Sequence, residues 1–234
     1  MEGAWDAVAI SVKELLAGFE RSLSLHQIER PQLREISAEC ATRCRHVGPL
    51  GQLFLVQRLR VLDAVSNEWL PWMAIGAFAG LRTSEIFRLD WSMVRWDQKV
   101  IAVPRKIAKK IKTARLAPMS DNLIKWLWPW REKVGPVYPH KKWRSLESAH
   151  GHEIERLKKL TGHVWNPNLL RHSSMSYRMA IVKNEAQVVY EHGTSTKMLR
   201  RFYDDPKHET EAKAWYAVLP DDKIVPLPLE FLAG

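Results

Sequence analysis

Between Asn166 and Tyr203 the chain reads NPNLLRHSSMSYRMAIVKNEAQVVYEHGTSTKMLRRFY, the stretch that most constrains what it can fold into. Asn166 can cap a helix, and Pro167 suits its first turn, where a missing N–H costs nothing. Leu169, Leu170, Ser173, Tyr177 and Ala180 recur at helical spacing and predict one buried face. Arg171 falls early in that helix, where backbone N–H groups and the helix dipole favour an anion. A second helix is expected from Asn184 to a left-handed cap at Gly193. A third starts among Thr194, Ser195 and Thr196, buries Leu199 and Phe202, and delivers Tyr203 at its end. Two short connections thus bring together an arginine, a polar turn and a terminal tyrosine.

A second constraint lies upstream. The run WLPWMAIGAFAG, Trp69 to Gly80, predicts a helix buried on all sides. GLRTSEIFRLDW follows, from Gly80 to Trp91. The glycine ends the helix, Arg82 projects from the turn, and Glu85 lies close enough to hold its guanidinium or the neighbouring backbone. Read alone, that pair is an ordinary helix-terminal ion pair. Downstream, residues 99–104, 106–113 and 114–119 read as three short strands with tight connections.

These two boxes resemble the active-site halves of the tyrosine recombinases, the phage integrase family, over roughly residues 50–220. The first box matches G-L-R-x-x-E-hydrophobic-x-x-L-x-W. The second follows His-x-x-Arg-His, then Gly-His, Gly-Trp or Gly-Asn, then a tyrosine. Here Asn168 stands at the first histidine position and Thr194 at the residue after glycine, while Arg171, His172 and Tyr203 keep the pattern. The resemblance implies an α+β, mostly helical fold: a tyrosine recombinase catalytic domain with a small three-stranded antiparallel sheet. It also implies a lysine on that sheet reaching the DNA at the cleavage site. Lys110 and Lys112 share a strand face by the two-residue alternation. Lys112-Thr113 has the family's usual wording, whereas Lys110 fits the spacing to Pro118 in relatives with longer hairpins. Lys112 is preferred. Lys106 and Lys109 read as a solvated edge that discourages sheet-to-sheet pairing.

The remaining features fit a nucleic-acid enzyme without requiring one. Thirty-six Lys and Arg against 26 Asp and Glu give a formal charge of +10, suited to a polyanion. No apolar run approaches the ~20 residues that span a bilayer, and no signal-peptide pattern opens the chain. Two cysteines, Cys40 and Cys44, lack the second pair a zinc site wants and fit a reducing cytoplasm. Residues 1–48 read as a helical segment, either a truncated core-binding remnant or unrelated sequence, with a stripe at Val8, Val12, Leu15, Leu16 and Phe19. Residues 49–234 form the catalytic domain and its tail, beginning with a helix through Phe54, Leu55, Leu59, Leu62 and Val65. Asp121 is expected to cap a helix burying Leu123, Ile124 and Leu127. Trp126, Trp128 and Trp130 read as packing rather than base stacking, since a duplex offers no flipped base. Residues 131–163 read as a charged helix burying Ile154, Leu157 and Leu160. His150, His152 and Glu153 supply no third ligand at a metal-binding spacing. A last helix is expected from Ala212 to Pro220, and Tyr177, Tyr190 and Tyr216 read as packing residues.

The resemblance implies phosphoryl transfer on double-stranded DNA, with neither metal nor small-molecule cofactor, by a protein that self-associates as a tetramer on DNA. Tyr203 would be the nucleophile, Arg82 and Arg171 the grip on the phosphate, Lys112 or Lys110 the acid, and His172 a positioning group. Asn168 can donate a hydrogen bond but is no acid or base near neutral pH. Thr194 keeps a hydroxyl but loses the bulk that would buttress the tyrosine. Two further readings stay open: a catalytically impaired DNA-binding remnant of an integrase, and a type IB topoisomerase-like nicking and closing enzyme.

Overall fold

The computed structural model describes residues 62, 64–108, 113–139, 142–162, 164–202 and 207–220, with backbone alone at 201 and 202. The expected N-terminal stripe, both cysteines and most of the helix read through Phe54–Val65 lie outside the described residues. Among those described, no helix is long and apolar enough to cross a membrane.

The apolar run folds as expected. Helix α1, Leu70–Ala74, passes without a break into a π-helical turn, Ile75–Ala79, and every one of these residues is buried. Pro71 sits in its first turn, where the orphaned N–H would have had no partner. A short helix α2, Thr83–Ile86, follows.

A three-stranded antiparallel sheet comes next, in the order β1 (Val94–Arg95), β2 (Val100–Val103), β3 (Arg115–Pro118). Val94 faces Ile101, and Val103 faces Arg115. Two of the expected strands are therefore present, but the described part of 106–113 is not one. The N–H groups of Ile107 and Ala108 both donate to the Pro104 carbonyl, at 3.0 and 3.2 Å, which curls the chain out of the extended state. Both side chains are buried. The third strand is instead Val94–Arg95, too short to show a two-residue alternation in sequence.

Helix α3, Asp121–Leu127, buries Leu123, Ile124 and Leu127 as expected, with Ser120 rather than Asp121 at the cap. Trp126 and Trp128 are buried, and the Trp126 indole N–H donates to the Val218 carbonyl at 3.1 Å. The tryptophans pack. Helix α4, Trp143–Thr161, begins later than the expected charged helix and buries Leu146, Ile154 and Leu157. Leu160 is 63% exposed, contrary to expectation. Nothing from Lys158 to Gly162 is buried, so the last turn runs past the surface the helix packs on.

Helices α5 (Leu169–Val182), α6 (Glu185–His192) and α7 (Thr196–Phe202) follow one another through two tight turns. Asn184 caps α6 by accepting from the Gln187 N–H, and Gly193 ends it at φ +55. The last helix, α8, is Glu209–Tyr216, three residues earlier than expected at its start. Glu211 accepts from the His208 N–H at 2.9 Å, which closes a cap the sequence reading overlooked. Trp215 stacks on Tyr177 at 4.2 Å between ring centres and fastens α8 to α5. Tyr177 is thus core and Tyr216 half-buried, but Tyr190 is 53% exposed and is not a core residue.

Candidate active site

Arg82 is the residue before α2, and Glu85 lies one turn inside it. The Glu85 carboxylate accepts from the Arg82 backbone N–H at 2.9 Å and from its guanidinium at 3.1 Å. Both contacts that the spacing suggested are made. Glu85 is completely buried, and it also takes a bidentate pair from Arg115 on β3, at 2.7 and 3.2 Å. Burial pushes its carboxyl up; hydrogen bonds and charge from Arg115, then Arg82, outweigh burial and hold it below the usual value.

Arg171 lies in the first turn of α5 and is buried. Its guanidinium donates to the Gly80 carbonyl at 2.6 Å, to the His192 carbonyl, and at 3.4 Å to that of Gly193. Arg82 donates to the Gly193 carbonyl at 2.8 Å, and Arg115 Nε to the Glu191 carbonyl at 3.0 Å. Three successive carbonyls at the end of α6 are therefore each met by an arginine. A helix C-terminus leaves its last carbonyls without intrahelical donors and carries partial negative charge, so cations settle there. Two of the remaining donors are local: the N–H groups of Gly193 and Thr194 return to Tyr190 and Val189 at 3.0 and 3.1 Å.

Among the described residues the charge in this cluster does not balance. Glu85 is the carboxylate among three guanidiniums, because the Glu191 side chain is turned away to Arg178, at 2.8 Å for both contacts. Burial, and then Arg82, push the Arg171 guanidinium well below its ordinary value, against the opposing pull of Glu85. A guanidinium does not give up its proton at physiological pH.

His192 escaped the sequence reading. It is buried, with Nδ1 against the Val188 carbonyl at 3.0 Å and Nε2 against the Ser174 hydroxyl at 3.1 Å. Nδ1 therefore carries the proton and Nε2 accepts from Ser174. A Cβ on Gly80 would stand 2.4 Å from the His192 ring, at φ +63. Glycine is needed there for two reasons, and the helix-ending role was the only one legible in sequence. Arg115 also escaped. Its one signal was position: it shares the inward strand face with Ala117, a poor place for an unpaired charge.

The other expected site residues fall as follows. Asn168, not Asn166, caps α5, in the left-handed region at φ +61 and without a side-chain capping bond; its side chain is exposed. Asn166 instead offers its carbonyl to the Leu169 N–H at 3.1 Å. His172 is half-buried beside Arg171, and burial, then the Arg171 charge, depress its imidazole to about 4. It is neutral at pH 7. Thr194 is half-buried in the turn after Gly193. Lys110, Lys112 and Tyr203 lie outside the described residues, although the strands β2 and β3 and the helix α7 that flank them are described. His150 packs edge-on to Trp72 and Phe87, at 4.4 and 5.2 Å, while Glu153 is held by Arg156 and the Ser66 N–H. Among the described residues no three potential ligands form a metal-holding group.

Comparison with known proteins bears on the family and the fold. The model of the phage integrase family matches residues 65–204, more than half of the chain. No curated protein matches. Among solved structures, the crystal structure of XerA recombinase is similar at a TM-score of 0.55 and 16% identity, covering 74% of this chain and 65% of that one. The integrase from mycobacterium phage Brujita is similar at 0.52 and 14%, covering 93% of this chain and 82% of that one. The chain thus spans just under two thirds of the XerA chain's length, and at such identities the likeness speaks for the fold. With the family segment enclosing both arginine boxes, the chain belongs to the phage integrase family and has the fold of a tyrosine recombinase catalytic domain.

Proposed function

We propose that the protein cleaves and rejoins one DNA strand at a time through a 3′-phosphotyrosyl intermediate, in site-specific recombination or integration. The observation that carries the reading is the trio of Arg82, Arg115 and Arg171 at the end of α6, the last two buried and Arg82 half-buried, which among the described residues is offset by the carboxylate of Glu85. A cluster with that surplus suits the non-bridging oxygens of a phosphodiester, whose charge grows in the transition state. The family membership and two neighbours, one a recombinase and one an integrase, support it.

In this reading the Tyr203 oxygen bonds to phosphorus as the bond from phosphorus to the 5′-oxygen breaks. The phenol gives its proton to solvent, and Lys112 or Lys110 supplies one to the departing 5′-oxygen, which leaves as a hydroxyl. Attack by a 5′-hydroxyl reverses each step, and attack by one from another strand gives exchange. Arg82 and Arg171 grip the phosphate, while neutral His172 and the Thr194 hydroxyl offer hydrogen bonds near it. Asn168, exposed at the start of α5, is available to DNA. Double-stranded DNA is the partner, and tetramer assembly on it is part of the proposal, as is action in the cytoplasm. Residues 49–234 are the catalytic domain and 1–48 a separate helical segment.

A nicked duplex that loses its 5′-fragment on cleavage traps the covalent adduct. The unchanged protein should form it, and Tyr203→Phe should not, with DNA affinity nearly retained. An adduct persisting in Tyr203→Phe, or none from the unchanged protein, rejects the proposal. Supercoil relaxation by dilute monomer would point instead to topoisomerase action.

A further inference from the structure

We infer that Arg115 is a positioning residue of the cleavage site, setting both the phosphate grip of Arg82 and the turn that leads into the tyrosine helix. The inference rests on the reading of this site as a DNA-cleaving one. Arg115 is buried on β3, and each side of its guanidinium is used. Two nitrogens hold both oxygens of Glu85, whose same oxygens hold the backbone and the guanidinium of Arg82. Its Nε holds the Glu191 carbonyl, two residues before Gly193. The flat face lies against Gly193: a Cβ there would be 2.8 Å from Nη1, 2.9 Å from Cζ and 3.0 Å from Nε.

One side chain therefore joins three separate parts of the site. Glu85 belongs to the first arginine box, Gly193 to the turn between α6 and α7, and Arg115 to the strand that follows the lysine-bearing connection. The guanidinium is wedged between the carboxylate that aims Arg82 and the glycine that opens the way to Tyr203. It acts through Arg82 and Gly193, since its donors are taken up by Glu85 and the Glu191 carbonyl. Lysine cannot replace it, because an ammonium is a point donor and lacks the planar fork that spans a carboxylate and a carbonyl together.

The test compares the unchanged protein with Arg115→Lys and Gly193→Ala, the second pressing on the same guanidinium from its other side while leaving the Glu85 pair in place. Adduct formation is followed in a single turnover at saturating nicked duplex, alongside DNA affinity and thermal unfolding. A lost fold lowers the amplitude of the burst, whereas misplacement lowers the rate constant of the molecules that remain folded. Both variants should show a rate constant down by about 10²-fold, the scale of a misplacement of roughly 1 Å, with affinity little changed. A duplex with sulfur in place of the bridging 5′-oxygen needs no proton on its leaving group. It should relieve a lysine variant but not Arg115→Lys, whose defect lies in the grip and the turn. A wild-type rate constant in Arg115→Lys overturns the inference, as does full relief by the sulfur duplex. Failure of the unchanged protein to form any adduct overturns the inference together with the cleavage reading.

Discussion

The Gly193 carbonyl accepts a hydrogen bond from Arg82 at 2.8 Å, across 111 residues of chain. The end of α6 is thereby welded to the first arginine box, and the turn into α7 cannot move without moving the guanidinium. That turn has its own requirement, because Gly193 sits at φ +55 with Arg115 packed on the side where a Cβ would project.

Gly193→Ala should therefore cost stability as well as rate. The left-handed backbone alone costs about 1–3 kcal/mol in a non-glycine residue. Arg115 cannot swing aside cheaply, since Glu85 and the Glu191 carbonyl pin it. Urea unfolding of the variant should show a loss of at least this size; an unchanged midpoint would contradict the packing described.

Glu85→Gln removes the carboxylate on which Arg82 and Arg115 converge. Breaking one partner of a buried pair costs about 3–5 kcal/mol, because the remaining charges stay buried. The pH dependence has a matching sign. The Glu85 carboxyl is held below 4.5 in the folded chain, so on acidification the unfolded chain takes the proton first. This part of the stability is present above pH 4.5 and lost as pH falls through the lower folded value. Acid titration of unfolding should lose that component in the variant.

Among the described residues, burial depresses three imidazoles, His192 among them well below its ordinary value. His172 and His150 are each depressed from 6.5 to about 4, by burial above all; Arg171 adds to it at His172, and Glu153 opposes it at His150. Between pH 6.5 and about 4 the unfolded chain binds protons at these two that the folded chain refuses, so their contribution to stability should fall as pH drops across this window. His172→Gln should flatten the slope by up to one proton. The adduct rate should show no His172 titration between pH 6 and 8, and a step there would mean that His172 works as a cation.

Trp215→Ala tests whether α8 is structural. Trp215 is completely buried and stacked on Tyr177, in the same helix as Arg171. Loss of a buried aromatic of this size costs about 3–5 kcal/mol. Unfolding measurements should show that loss, whereas the rate constant of the folded fraction should change little. A selective loss of rate would give α8 a part in the chemistry.

What the sequence determined by itself was local. The apolar run from Leu70 to Ala79, the Gly80 break and the Arg82–Glu85 pair follow from burial on every side, one left-handed residue and a one-turn spacing. The α5 face, the Asn184 cap and the Gly193 stop are legible for the same reason: each is written within a few adjacent residues. Short competitions among neighbours were less legible. The chain around Ile107 curls because one carbonyl captures two N–H groups, and the cap of α5 moved from Asn166 to Asn168. Only the tertiary structure decided that Arg115 lies inside and that three arginines share the end of α6. Arg115 meets Glu191 across 76 residues, and no periodicity encodes a meeting at that separation. An arginine on a strand looks like a solvated charge until the fold supplies a buried carboxylate and three open carbonyls, because the cost of burying it depends on partners that only folding brings near.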